Sequence, residues 1–125
     1  MHIDHINIRA PRELMAQVRD FYCAVLGLEE GFRPTFSSEG HWLYADDKPL
    51  VHLSLGAGAR PAGGQTWLDH VAFQAAGLDD FCARLDALGI NYRSSHIPEL
   101  HMSQLFFSDP VGTGLEVNFP REHLR

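Results

Sequence analysis

The chain has 125 residues, 45% of them hydrophobic and 21% charged, with a formal net charge of -6, the profile of one ordinary globular domain that can bury an adequate core without staples. The acidic balance, with no basic stripe, excludes nucleic acid as a partner, and no apolar run reaches the length of a membrane span. The N-terminal MHIDHINIRAPRE lacks the basic and apolar regions of an export signal, so a cytoplasmic protein with no membrane partner is expected.

In chain order, HIDHINIRA (residues 2–10) predicts a first strand. Side chains alternate faces along a strand, which places Ile6 and Ile8 on one face and Ile3, His5, Asn7 and Arg9 on the other. PRELMAQVRDFYCAVLG follows as a helix, with Pro11 at its start, a stripe of Leu14, Val18, Phe21, Tyr22 and Val25, and Gly27 as the stop. A short strand is expected around EEGFRPTF. HWLYADDKPLVHLSL then reads as a hairpin in which Val51, Leu53 and Leu55 alternate with His52 and Ser54.

GAGARPAGGQT has no periodicity and reads as a connector. Beyond it WLDHVAFQA (67–75) repeats the opening phrase, with Val71 and Phe73 on one face and Leu68, His70, Ala72 and Gln74 on the other. A second helix, GLDDFCARLDALG, carries Leu78, Phe81, Cys82, Leu85 and Leu88 on one stripe and stops at Gly89. A strand around INYRSSH and a hairpin, SQLFFSDPVGTGLEVNF, complete the second half, and in its last strand Glu116 and Asn118 alternate with Leu115, Val117 and Phe119. Cys23 and Cys82 both lie in apolar helical patterns and are expected as core residues, with neither a disulfide nor a zinc spacing.

The order strand, helix, strand, strand, strand is therefore written twice. The expected fold is α+β: two tandem βαβββ modules packed as a cupped mixed sheet with helices outside, module 1 about 1–56, a connector about 57–66 and module 2 about 67–120. The apolar strand faces must meet the helices, which turns His5, His52, His70 and Glu116 the other way. His5 and His70 are 65 residues apart and His52 and Glu116 are 64 apart, so the four occupy matched positions.

Two imidazoles and a carboxylate on convergent strands are the ingredients of a facial triad that holds a divalent ion with open coordination positions. On this reading His5, His70 and Glu116 are metal ligands, with Fe(II) favoured and Mn, Zn, Ni or Co possible. His52 stands between three roles: fourth ligand, acid–base catalytic group or bystander. Asn7, Ser54, Gln74 and Asn118 lie two residues along the same faces and could orient ligands or substrate. His2, His41, His96 and His123 read as surface or rim residues, and His101 as a candidate at the pocket mouth. The rival reading is a metal-free binder that holds an aromatic ligand between Trp42, Tyr44, Trp67 and Phe106.

His5 in DHINI, DFYCAVLGL, His70 in LDHVAF and Glu116 in SDPVGTGLEVNF together resemble the vicinal oxygen chelate superfamily, over roughly residues 1–120. That superfamily includes glyoxalase I, extradiol dioxygenases, fosfomycin-modifying enzymes and bleomycin-resistance proteins. The resemblance implies a small-molecule substrate chelated through adjacent oxygens to a metal on His5, His70 and Glu116, and a homodimer. His52 stands where glyoxalase I has a carboxylate. Arg9 matches a family arginine that contacts glutathione, yet Gly56 stands where an asparagine is expected four residues after the ligand position held here by His52. The ligand set is closer to the one-metal extradiol dioxygenases, whose tyrosine is replaced by Phe106 or Phe107. The expectation is an enzyme leaning towards ring-opening dioxygenation, with lyase or isomerase chemistry as the alternative. The substrate contacts it implies are Asn7, Arg9, His101, Phe106 and Asn118.

Overall fold

A computed structural model describes residues 2–56, 68 and 70–124. The chain divides into two compact units, 1–64 and 65–125. The predicted connector, 57–66, lies outside the described residues, as does Trp67.

Module 1 runs β1 (Ile6–Ala10), α1 (Arg12–Leu26), β2 (Glu29–Gly31), β3 (Gly40–Ala45) and β4 (Lys48–Leu55). Its four strands form one sheet in the order β1-β4-β3-β2, with β1 parallel to β4 and the other pairs antiparallel. The parallel pair follows from the helix, which returns the chain to the same end of the sheet before the last strand is laid down. Pro11 precedes the helix with φ -68°, and Gly27 ends it at φ 70°, a left-handed position that glycine takes without strain.

The apolar side of α1 packs on β1, β3 and β4. It buries Met15, Val18, Tyr22 and Val25 against the sheet residues Ile8, Leu43, Val51 and Leu53. Each such burial contributes on the order of 2 kcal/mol. The predicted stripe is shifted at two positions. Met15 is in the core, whereas Leu14 and Phe21 are only half-buried, because the buried set follows the spacing 15, 18, 22, 25 and Leu14 falls beside it. The strand expected around EEGFRPTF is only three residues long. Pro34 has no N–H to extend the ladder, and residues 32–39 form a loop.

Module 2 repeats the order: β5 (His70–Gln74), α2 (Leu78–Ala87), β6 (Arg93–Ile97), a single 3-10 turn (Pro98–Leu100), β7 (Met102–Ser108) and β8 (Gly114–Pro120). The sheet order is β5-β8-β7-β6, matching module 1 strand for strand. Phe81 on α2 lies edge-on to Phe119, with ring centres 5.5 Å apart, and tilted against Phe107. Leu88, expected on the apolar stripe, is 46% exposed. The helix ends at Ala87, where the Leu88 N–H closes on the Arg84 carbonyl, so Leu88 leaves the buried face.

Gly77 offers α2 no capping side chain, and Glu122 serves instead. Its carboxylate accepts from the N–H of Gly77 at 3.0 Å and of Leu78 at 3.2 Å, placing a negative group where the helix leaves unpaired donors. The DPVGTG turn is held by Asp109, whose Oδ1 accepts from the N–H of Val111 and Thr113 at 3.0 and 2.7 Å. Cys23 and Cys82 are free thiols.

The α+β class and the duplicated βαβββ order are as expected, realised as two four-stranded sheets. No helix among the described residues is long and apolar enough to cross a membrane.

Candidate functional site

The strand parity read from the sequence holds in both modules. In module 1, β1 and β4 pair in parallel with Asn7 opposite His52 and Arg9 opposite Ser54. Asn7 Nδ2 donates to Ser54 Oγ at 3.0 Å. His5, just before β1, stacks on His52 with ring centres 3.8 Å apart and planes 13° from parallel. On its other side His52 stacks on Trp42, its partner across the β3–β4 ladder, at 4.0 Å and 12°. His52 is thus held between two rings. Its Nε2 is buried with no hydrogen-bond partner. Burial first, and then the neighbouring His5, hold this imidazole below the usual histidine pKa. His5 Nδ1 lies 2.7 Å from Asp4 Oδ2, which orients the ring. Hydrogen bonding to His5 is the main cause that lowers the Asp4 pKa.

In module 2 the corresponding face is polar. Glu116 is only 8% exposed, so its carboxylate needs partners. Gln104, across the β7–β8 ladder, donates through Nε2 to Glu116 Oε1 at 2.7 Å and to Asn118 Oδ1 at 3.1 Å. The other carboxylate oxygen, Oε2, lies 2.9 Å from His70 Nε2. Phe106 stands directly opposite Glu116, and Arg93 lies over its ring at 4.3 Å. Phe107 points to the core beside Phe81, so of the two phenylalanines Phe106 is the one on the Glu116 face.

The two pairs are built alike. His70 is opposite Gly114 and reaches diagonally to Glu116, as His5 reaches to His52. Among the described residues no group of three or more His, Cys, Asp or Glu side chains gathers as a metal cluster. The 2.9 Å separation of His70 Nε2 and Glu116 Oε2 is that of an ion pair, and both atoms are of the type that ligates divalent ions. Gln104 supplies the outer hydrogen bond that orients a carboxylate ligand.

The other predicted residues divide. Asn7, Arg9 and Asn118 lie on the expected faces. Gln74 is exposed opposite Asn118. His101 is exposed at the start of β7, in a left-handed conformation (φ 48°) beyond the Met102–Pro120 pair, at the opposite end of the ladder from the Phe106–Glu116 pair. It therefore does not join Glu116 on the polar face. The aromatic residues proposed for a metal-free binder are engaged within their own modules: Trp42 by His52, Phe106 by Arg93, and Tyr44 by the Phe32 carbonyl, to which its hydroxyl donates. Gln104 escaped the sequence reading. Its parity with Phe106 in SQLFF was the available signal, since both must share the face of Glu116.

The pattern of the Glyoxalase/Bleomycin resistance protein/Dioxygenase superfamily matches residues 2–117. The chain belongs to that superfamily. Among solved structures, a glyoxalase family protein from Bacillus anthracis is 26% identical, with a TM-score of 0.76 over 96% of this chain and 95% of that one. The fosfomycin resistance protein FosX from Listeria monocytogenes, solved with Mn(II) and dihydroxypropylphosphonic acid, is 16% identical with a TM-score of 0.73 over 95% and 92%. Lactoylglutathione lyase from Agrobacterium tumefaciens is 20% identical with a TM-score of 0.66 over 96% and 94%. The last two share the fold. No curated protein matches the chain significantly.

Proposed function

We propose that the chain is a divalent-metal-dependent enzyme acting on a small molecule chelated through neighbouring oxygens, with His5, His70 and Glu116 as the metal ligands. The observation that carries the reading is the Gln104-braced carboxylate of Glu116, buried and set 2.9 Å from His70 Nε2. A buried carboxylate must be paired or bind a metal, and this one is braced with an oxygen beside a ligand-type nitrogen. Fe(II) is the favoured ion, with Mn, Zn, Ni or Co as alternatives, and the protein acts as a cytoplasmic homodimer.

A bound divalent ion supplies Lewis acidity to the enolate or catecholate that the chelated substrate develops. The chain's own residues do the rest. Gln104 fixes the Glu116 carboxylate, Asn7 and Asn118 offer hydrogen bonds to substrate oxygens, and His52 is the candidate acceptor of the substrate's hydroxyl proton. Arg9 and Phe106 contact the remainder of the substrate. Two histidines and one glutamate are the donor set that would hold Fe(II) for ring-opening dioxygenation, which is the favoured reading. Lyase or isomerase chemistry is the second reading, favoured by the partnerless His52 Nε2: a fourth ligand there leaves room for substrate alone.

Elemental analysis of protein purified without a histidine tag should find about one divalent ion per chain, lost in His70→Ala and in Glu116→Gln. No bound metal in the wild type after anaerobic reconstitution overturns the proposal. Oxygen uptake by the Fe(II)-loaded protein across a panel of catechols separates the two reactions, and a null result selects the lyase or isomerase branch.

A further inference from the structure

A cleft of about 630 Å³ opens in module 1, bounded by the start of α1, the 32–39 loop and the ends of β3 and β4. None of the residues proposed above as ligands or substrate contacts lines it. Its volume is that of a small-molecule site. Met15, Phe36 and Leu55 give it an apolar part, and Arg12, Arg33 and Glu39 its charges.

Those charges do not cancel. Arg12 Nη1 pairs with Glu39 Oε2 at 2.8 Å, and His41 is taken by Glu30. Arg33 has no carboxylate partner among the described residues. Its Nη1 donates to the Ser38 carbonyl at 3.0 Å, its guanidinium lies over the Phe36 ring at 4.8 Å, and its Nε is buried without a hydrogen bond. A guanidinium has five N–H donors in a planar fork that matches the oxygens of a carboxylate or phosphonate. Here that fork is positioned by backbone and aromatic contacts, is electrically unmatched, and borders an apolar cleft.

The position of the fork is itself enforced by glycine. A Cβ on Gly40 would overlap the Leu53 carbonyl oxygen and stand 3.0 Å from Arg33 Nη2, so only glycine lets the guanidinium settle against this strand end. From Arg33 the contacts continue ring by ring: Phe36 lies 6.1 Å from Trp42, and Trp42 stacks on His52. A ligand that shifts Phe36 therefore changes the surroundings of Trp42.

We propose that this cleft is a second binding site, specific for a small organic anion with one carboxylate or phosphonate on an apolar body, the acid group on Arg33 and the body against Met15, Phe36 and Leu55. It does not depend on the metal-site reading.

The test uses Trp67→Phe protein, which leaves Trp42 as the sole tryptophan, freed of metal on a chelating resin. Phenylacetate and phenylphosphonate should each change Trp42 fluorescence saturably, and neutral phenylacetamide should bind at least tenfold more weakly. Arg33→Met should weaken both anions at least tenfold, and Arg33→Lys by less, because it keeps the charge but loses the fork. Ala16→Phe, at an exposed helix position lining the cleft, should obstruct it while leaving both arginines in place. It carries the test if Arg33→Met fails to fold by circular dichroism. The proposal is overturned if neither anion saturates, if the amide binds as tightly, or if a folded Arg33→Met or Ala16→Phe protein binds the anions as the wild type does.

Discussion

The two modules place different chemistry on one backbone plan. At the diagonal position on the polar face, module 1 sets His5 flat against His52, and module 2 sets His70 edge-on to Glu116 at hydrogen-bond distance. The residues across the ladder differ in the same sense. Trp42 covers His52 with a ring, whereas Gln104 reaches Glu116 with an amide and Phe106 takes the place of Trp42. Module 1 therefore orders its imidazole by stacking and leaves Nε2 without a partner. Module 2 orders its carboxylate by hydrogen bonds and aims one oxygen at a histidine. The two modules share one register and differ in the side chains it carries, so one backbone plan presents a stacked imidazole in one half and a hydrogen-bonded carboxylate in the other.

Gly40 and Gln104 occupy corresponding ladder positions, opposite Ser54 and Asn118, so substituting each tests the contrast most strongly. Gly40→Ala forces a methyl into the Leu53 carbonyl and should destabilise the protein by about 3 kcal/mol in urea unfolding. Gln104→Leu leaves the buried Glu116 Oε1 and Asn118 Oδ1 without this donor and should cost about 2 kcal/mol of stability. It should also weaken Mn(II) binding by roughly 10- to 100-fold in calorimetry, the usual effect of losing an outer hydrogen bond to a metal ligand. If Gln104→Leu binds Mn(II) like the wild type, the braced carboxylate is a structural feature and the contrast loses its functional meaning.

The helices differ as well. Pro11 starts α1 without a side-chain cap, whereas α2 borrows the carboxylate of Glu122 from 45 residues further along the chain. Glu122→Ala should therefore cost about 1 kcal/mol, read as a lower thermal midpoint, with faster amide exchange in the first turn of α2 and none of the change in α1.

Most of this architecture was legible from two periodicities. Alternation in HIDHINIRA, LVHLSL and GLEVNF indicated which side chains share a face, and the structure keeps the assignments that fall within β1, β4 and β8. Helix phase was less secure, because Leu14 and Met15 are adjacent and apolar, and only packing on the sheet selects Met15. Leu88 failed for a related reason: it follows the stripe in sequence but falls where the helix ends. His101 carried no strand parity, because it sits in a left-handed conformation just before β7. The partners of a site residue were harder to foresee than its face. Gln104 and Trp42 act through cross-strand register, which strand parity alone does not set. The Arg33 cleft had no sequence signal, since it depends on how an aperiodic loop closes over Gly40.

The smallest effect expected is also the one that separates the modules by titration. Burial, then His5, lowers the His52 pKa in module 1, and burial, then His123, lowers that of His96 in module 2. For a histidine, a folded pKa below the unfolded value means that the unfolded chain binds more protons in the interval between the two. Stability therefore rises with pH across that interval. Above about pH 6.5, the ordinary histidine value, neither group contributes. As pH falls below it, stability is lost until the folded pKa is passed, and then levels off. Asp4, lowered chiefly by its bond to His5, titrates in the more acidic carboxylate range and leaves this interval unaffected. His52→Phe keeps a ring between His5 and Trp42 and removes the titration, so it should flatten the slope of urea stability between pH 7 and 5, leaving the contribution of His96. His96→Asn should remove less, because that ring is more open to solvent. A slope unchanged by His52→Phe would mean that the stacked imidazole of module 1 is protonated as readily in the folded chain as in the unfolded one.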